Sequence, residues 1–309
     1  MRILEFSGTH REVGRAHGEE LRKELYESLD QRLSRCVEVS RAAGEELDVD
    51  RIRALSGQCL VHVREFWPGL TEEIEGIAEG AGVSPEEVLL VSGYTDIRDV
   101  VGRAGAGEAF ECTACWAGPG ATTDGGTYVA QTWDMYSEAE SGAVWMKICV
   151  EGEPKILALS YGGCVGMMGM NSHGVALAAN NLRPTDARPG VPWTVICRAI
   201  LAQESAEAGF AELKRARLCS GHNFLMGDGT GAGFSVETTG TRFVRIDPPG
   251  PVYAHSNHYL APELQELSVP IAPRNSSPPR RERMDAILQE GSGKIDRDFL
   301  QAALSDHEG

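Results

Sequence analysis

The chain has no apolar run near the ~20 residues a membrane span requires. Its opening, Met1 to Glu20, holds no apolar stretch of signal-peptide length. The cytoplasm is therefore the expected location. Basic residues are few: 29 lysines and arginines stand against 45 acidic residues, for a formal charge of −16. Such acidity repels phosphates, so nucleic acid and anionic membrane are not expected as main partners.

Several catalytic and cofactor signatures are missing as well. No Gly-x-Ser-x-Gly elbow of the esterase type occurs. Gly291-Ser-Gly293-Lys294 has the wrong glycine spacing for a phosphate-binding loop and runs into Ile295. Gly163-x-x-Gly166-x-x-Gly169 is not a dinucleotide fingerprint. Cys112-x-x-Cys115 has no second pair to complete a structural zinc site, and it sits among strand-like runs rather than in a βαβ redox context. His255-x-x-His258 lacks an obvious third ligand nearby. The expectation is an enzyme or binding protein with no metal and no cofactor.

What is present begins with length. A chain of 309 residues is enough for one large or two ordinary domains and can bury a sizeable core. Glycine is abundant at 36 residues, roughly 12 % against a usual ~7 %, which fits many tight turns. The 8 cysteines read as free thiols in a reducing compartment.

The first hundred residues read as helices: His10–Tyr26, Asp50–Trp67, a third starting at Thr71 behind Pro68, and a fourth from Ser84-Pro-Glu-Glu87, a capping serine followed by proline and acids. Val101 to Glu108 is a glycine-rich connector, centred on 102–107. Short strand-like runs follow at Cys112–Ala117, Thr127–Trp133, Val144–Val150, Lys155–Tyr161, Cys164–Met170 and Val175–Ala179. Helices are expected at Trp193–Gln203 and Ser205–Ala216. Strands return at Asn223–Met226, Gly233–Glu237, Arg242–Ile246 and Val252–His255. A proline- and serine-rich loop spans Val269–Pro279, and helices Arg281–Gln289 and Arg297–Leu304 close the chain. Strands grouped between helices, rather than alternating with them, point to an α+β fold.

Cys112 opens the first strand directly after the connector. A cysteine so placed can act as an N-terminal nucleophile if the chain is cut before it. Its thiol attacks the Glu111 carbonyl, a thioester forms, and water opens it. Cys112 then carries a free α-amine, whose pKa of ~7.7–8.0 suits it to act as base for its own thiol. The competing reading is a buried structural cysteine. A thiol-redox role for Cys112 with Cys115 is disfavoured, because residues three apart on a strand face opposite sides.

Glu111-Cys112-Thr113-Ala114, then Thr123-Asp-Gly-Gly-Thr127 and Gln131-Thr132-Trp133-Asp134, resemble the core of the acyl-CoA:6-aminopenicillanate acyltransferase family of N-terminal-nucleophile hydrolases. Gly8–Gly18, Trp67–Gly82, Met170–Gly174, Ala254–Tyr259 and Ser277–Arg280 resemble further family segments, in the right order over nearly the whole chain. Thr132 stands where the family has Asn. Glu111 stands where the best-known members have Gly.

The resemblance implies a four-layer αββα sandwich and a self-processing enzyme that cleaves or forms a small-molecule amide. Residues 1–111 would be a helical α-chain and residues 112–309 a catalytic β-chain, together one structural domain and an α/β heterodimer, with any higher oligomer left open. Cys112 would be the nucleophile and Glu111-Cys112 the cleavage site. Asp134 would orient the new amine and help protonate the leaving group. Asn180 or Asn181 would offer an amide N–H to the oxyanion, Arg280 would pair with Asp134 or another carboxylate with Arg283 as its competitor, Asn171 would be a turn residue, and His255 and His258 would be structural. The partner is a small amide or acyl donor, with acyl-CoA admissible as a substrate. The family usually adds two strands beyond the point matching Gly309, so an open sheet edge is expected. A non-catalytic, unprocessed homologue of the same fold is the alternative.

Overall fold

A computed structural model describes residues 1–102, 111–135 and 142–306. Most of the connector expected at 102–107 lies outside the described residues. The chain opens with strand β1 (Arg2–Gly8), then helices α1 (His10–Glu20), α2 (Arg22–Ala42), α3 (Val49–Phe66), α4 (Pro68–Ala81), α5 (Pro85–Ser92) and α6 (Tyr94–Gly102). Ser84 caps a helix as its sequence context indicates, and Thr9 caps another. Thr9 and Glu12 form a capping box on α1, and Ser84 and Glu87 form one on α5. Helix α3 ends at Phe66, just ahead of Pro68 as expected, and α4 begins at Pro68 itself rather than at Thr71, with the proline at its first position, where the missing N–H costs nothing.

Strand β1 corrects the expectation of a purely helical N-terminal segment. It pairs in parallel with β4 (Ala143–Val150), from Arg2 opposite Val144 to Gly8 opposite Val150. This edge strand buries Phe6 and leaves Ile3 in solvent, so its apolar signal is weak in the sequence.

Strands β5 (Ile156–Tyr161), β6 (Gly169–Asn171), β7 (Ala176–Asn181), β8 (His222–Gly227), β9 (Gly233–Thr238) and β10 (Phe243–Ile246) complete an eight-stranded sheet in the order β1-β4-β5-β6-β7-β8-β9-β10. The strand expected over Cys164–Met170 shrinks to β6, because Gly163 and Gly166 take positive φ and break the ladder. Helices α7 (Trp193–Leu201) and α8 (Ala206–Arg215) pack with α1–α6 in the core on the outer face of this sheet.

The second sheet has three strands, β11 (Val252–His255), β2 (Glu111–Ala117) and β3 (Tyr128–Asp134), in the order β11-β2-β3. Ala114, Trp116 and Tyr253 of this sheet meet Ala178 and Leu225 of the large one. On the other side Cys115, Ala117 and Val252 meet Met284 and Leu288 of α9 (Ser277–Glu290) and Leu300 of α10 (Arg297–Leu304). The layers therefore run helices, large sheet, small sheet, helices, which is the αββα order. Helix α9 starts at Ser277, inside the segment read as loop, with Pro278 and Pro279 in its first turn.

Helices α1 and α4 pack backbone to backbone. A Cβ on Gly14 would lie 2.0 Å from the Glu73 carbonyl oxygen, one on Gly18 2.2 Å from that of Ile77, and one on Gly80 2.2 Å from that of Arg15. The glycine-x-x-x-glycine spacing of both helices has this close approach as its cause.

Candidate active site

Alternation along β2 decides which side chains share a face. Ala114 and Trp116 face the large sheet, so Cys112 does too. Cys115 packs under α9. The two thiols lie on opposite faces, as the spacing predicts, and the redox reading loses its geometry. Glu111 and Asp134 are cross-strand partners, as are Cys112 and Trp133.

The Gln131-Thr132-Trp133-Asp134 run ties the sheets together. The Gln131 side-chain amide donates to the Ala179 carbonyl at 2.6 Å and accepts from the Ala179 N–H at 2.9 Å. Thr132 Oγ1 accepts the Thr113 N–H at 3.1 Å. Trp133 stacks on Tyr161 with ring centroids 6.0 Å apart.

Both polar ends of Cys112 are held by distant residues. Its N–H donates to Asn257 Oδ1 at 2.7 Å, and its carbonyl accepts from Arg280 Nη1 at 2.8 Å. Arg280 also donates to Thr113 Oγ1 at 2.8 Å, to Asn257 Oδ1 at 3.1 Å and, through Nε, to Ser276 Oγ at 3.1 Å. Ser276 in turn donates to the Glu111 carboxylate at 2.6 Å. Asn257 completes its amide by donating to the Asn181 carbonyl at 3.0 Å, and its own N–H is held by Ser277 Oγ at 2.7 Å. Asn257 carries no assignment from sequence reasoning. Its motif, Ala254 to Tyr259, was legible, but nothing local marks which of its polar residues meets Cys112.

Burial pushes the Cys112 thiol up to about 11, although the Asp134 N–H, Asn257 and Arg280 favour the thiolate. Burial also raises Asp134, with Glu111 adding to the effect and Arg280 opposing it. Asp134 ends β3 beside Thr113, Thr132 and Arg280 on the α9 side. Arg283 pairs with Asp306 at 2.6 Å, facing the cavity that Asp134 also lines, and contributes no bond to Cys112.

Asn180 and Asn181 point to opposite faces. Asn180 is buried and accepts from Asn223 at 2.9 Å, while its own amide nitrogen has no partner among the described residues. Asn181 lines a cavity of about 180 Å³ together with Glu111, Asn257 and Arg280. Its side chain meets Arg98 Nη2 at 3.2 Å and His222 Nε2 at 3.3 Å. Asn171 is a turn residue, its Oδ1 accepting the N–H groups of His173 and Val175. His255 lies 2.7 Å from the Glu237 carboxylate, and His258 2.7 Å from Ser277 Oγ. Both brace the segment that carries Asn257.

An α+β sandwich whose inner strand opens with a tethered, buried cysteine is the class that this geometry defines. Residues 121–309 match the model of the acyl-coenzyme A:6-aminopenicillanic acid acyl-transferase family. The chain is 27% identical over 297 residues to the acyl-coenzyme A:6-aminopenicillanic-acid-acyltransferase 40 kDa form of Emericella nidulans, covering 93% of this chain and 77% of that one. Among solved structures, a mutant conjugated bile acid hydrolase from Clostridium perfringens aligns over 63% of this chain and 78% of its own, with 14% identity and a TM-score of 0.44. Penicillin V acylase from Agrobacterium tumefaciens aligns over 65% of each chain, with 11% identity and a TM-score of 0.37. The chain belongs to the acyl-coenzyme A:6-aminopenicillanic acid acyltransferase family, a family of enzymes named for acyl transfer. Among the described residues, no helix is long and apolar enough to cross a membrane.

Proposed function

We propose that this protein is a self-processing cysteine amidohydrolase or acyltransferase in which Cys112 is cleavage point and nucleophile. The observation that carries this reading is the grip on Cys112 from both sides: Asn257 on its N–H and Arg280 on its carbonyl. Strand residues ordinarily pair these groups with neighbouring backbone, and here two distant side chains hold them. In the first step the thiol attacks the Glu111 carbonyl carbon, the Glu111–Cys112 C–N bond breaks, and the thiol proton passes to the departing nitrogen. Water opens the resulting thioester, leaving a carboxylate on Glu111 and a free amine on Cys112.

Asn257 is then placed to hold that amine and Asp134 to orient it. The amine takes the Cys112 thiol proton, and the thiolate attacks the amide carbonyl of the substrate. Asn180, on the strand face that Ala178 turns towards the small sheet and with an amide nitrogen that has no partner among the described residues, is the better candidate of the two asparagines for the oxyanion, a contact typically worth 10²–10³ in rate. The leaving amine takes its proton from the Cys112 ammonium. Water or a second amine releases the acyl group, giving hydrolysis or transfer. Segments 1–111 and 112–309 would stay together as an α/β heterodimer, since β1 is a strand of the large sheet. No cofactor takes part in these steps.

Intact mass tests the reading. Purified protein is expected as two pieces, residues 1–111 and 112–309, and Cys112→Ala as one. An uncut wild-type chain, indistinguishable from Cys112→Ala, would overturn self-processing and favour the unprocessed binding homologue.

A further inference from the structure

The cavity beside Cys112 contains a cation that the steps above do not use. Arg183 follows β7 by two residues, and its carbonyl accepts the Val269 N–H at 2.9 Å, which fixes the backbone. Its side chain lines the cavity, half-buried, with no hydrogen bond or ion pair among the described residues. The other ionisable groups on the wall are accounted for. Glu111 is bound by Ser276 and lies 3.8 Å from Arg280, and Arg280 is committed to Cys112, Thr113, Asn257 and Ser276. His258 is kept neutral at ordinary pH, because burial lowers it to about 4. Val269, Pro270, Ile271 and Ala272 supply an apolar flank.

An ionised guanidinium withdrawn from water without a directly bonded counter-charge is costly, and more so beside another cation. Burial and then Arg98 pull Arg183 below the usual arginine range, and Asp99, whose carboxylate is bound by Arg98 and Ser220, opposes them only in part. A ligand anion relieves both costs, and a guanidinium presents two parallel N–H groups that match a carboxylate. The cavity volume, about 180 Å³, is below the ~300 Å³ of sites that hold drug-sized ligands. That favours a small carboxylate over a nucleotide phosphate.

We infer that Arg183 is a specificity residue that anchors a carboxylate of the substrate, so that the preferred substrate is a small amide bearing an acid group near the scissile bond. This inference rests on the reading of Cys112 as nucleophile only for the place of the scissile bond. The anion site stands on the cavity itself.

The test compares N-phenylacetylglycine with its neutral partner N-phenylacetylglycinamide. Wild-type protein is expected to show kcat/KM roughly 30-fold higher for the acid, the scale of losing one partner of a shielded charge pair. Arg183→Gln should collapse that ratio, and Arg183→Lys should restore part of it. A wild-type ratio near one, or one unchanged in Arg183→Gln, would overturn the inference while leaving the amidase reading intact. If neither compound is turned over, the amidase reading fails on this pair, and calorimetric titration of both decides the anion site. Tighter binding of the acid that is lost in Arg183→Gln supports the site. Equal or undetectable binding of both overturns it. Competition by 3′,5′-adenosine bisphosphate stronger than by N-phenylacetylglycine would assign the cation to phosphate and overturn the carboxylate.

Discussion

Arg280 donates to the main-chain carbonyl of Cys112 at 2.8 Å across 168 residues of sequence. The same guanidinium reaches Thr113, Asn257 and Ser276, so one side chain fixes both the cysteine and the group that holds its nitrogen. Lysine has neither the planar fork nor enough donors for this. Arg280→Lys is expected to slow self-cleavage on the order of 10²-fold, scaled on the loss of one preorganised donor. Arg283→Lys should cut at the wild-type rate, since Arg283 is engaged with Asp306. The fraction of intact chain against time, read by mass spectrometry, checks both.

Cleavage should change the chemistry of the thiol. In the uncut chain burial holds Cys112 at about 11, and Cys149 is the one described cysteine that is not buried. Iodoacetamide at pH 8 is therefore expected to label Cys149 first and to leave Cys112 and Cys115 largely unmodified. In the cut chain the α-amine, with a pKa of ~7.7–8.0, can deprotonate the thiol, and Cys112 should become the fastest site. Loss of amidase activity should track Cys112 labelling and persist unchanged in Cys115→Ser. Peptide mapping reads this, and equal Cys112 labelling in both forms would contradict the base role.

The contact between α1 and α4 depends on missing side chains. A methyl group on Gly14 or Gly80 would meet main-chain oxygen at 2.0 Å or 2.2 Å, and backbone cannot swing aside as a side chain can. Gly14→Ala and Gly80→Ala are each expected to destabilise the fold by about 2 kcal/mol or more, at the upper side of overpacking costs. Gly44→Ala, with open space around the added carbon but a positive φ, isolates the smaller conformational effect. Urea unfolding midpoints measure all three.

Stability should peak near pH 6.5. His10 sits between Glu73 and Glu153 at 3.1 Å and 2.9 Å. Burial opposes its charge, but the two carboxylates prevail and raise it to about 9 from an ordinary 6.5. The folded state then holds a proton that the unfolded state releases above 6.5, so stability falls as pH rises from about 6.5 through about 9. His17 and His222 behave oppositely: burial lowers them to about 4 and about 3. Below 6.5 the unfolded chain gains protons that the folded chain refuses, so stability also falls towards acid. Denaturant midpoints from pH 4 to 10 should trace this dome, and His10→Gln should flatten its alkaline side.

Features with a local cause could be read from the amino-acid order. Ser84 caps a helix because its own side chain reaches an N–H three residues on. Cys112 and Cys115 fall on opposite faces because a strand repeats every two residues. The α+β arrangement follows from grouped strands, and Cys112 stood out because it begins the first of them. What depended on tertiary structure is whatever joins residues far apart in sequence. Strand β1 shows itself only through its pairing with β4. Arg280 and Arg283 lie on one helix with similar chemistry, and only packing against β2 puts one on Cys112 and the other on Asp306. Asn257 meets Cys112 across 145 residues, and Arg183 turns into a cavity closed by segments from both halves of the chain. Such contacts leave no periodic trace, because their geometry is set by the meeting of two sheets and not by neighbouring residues.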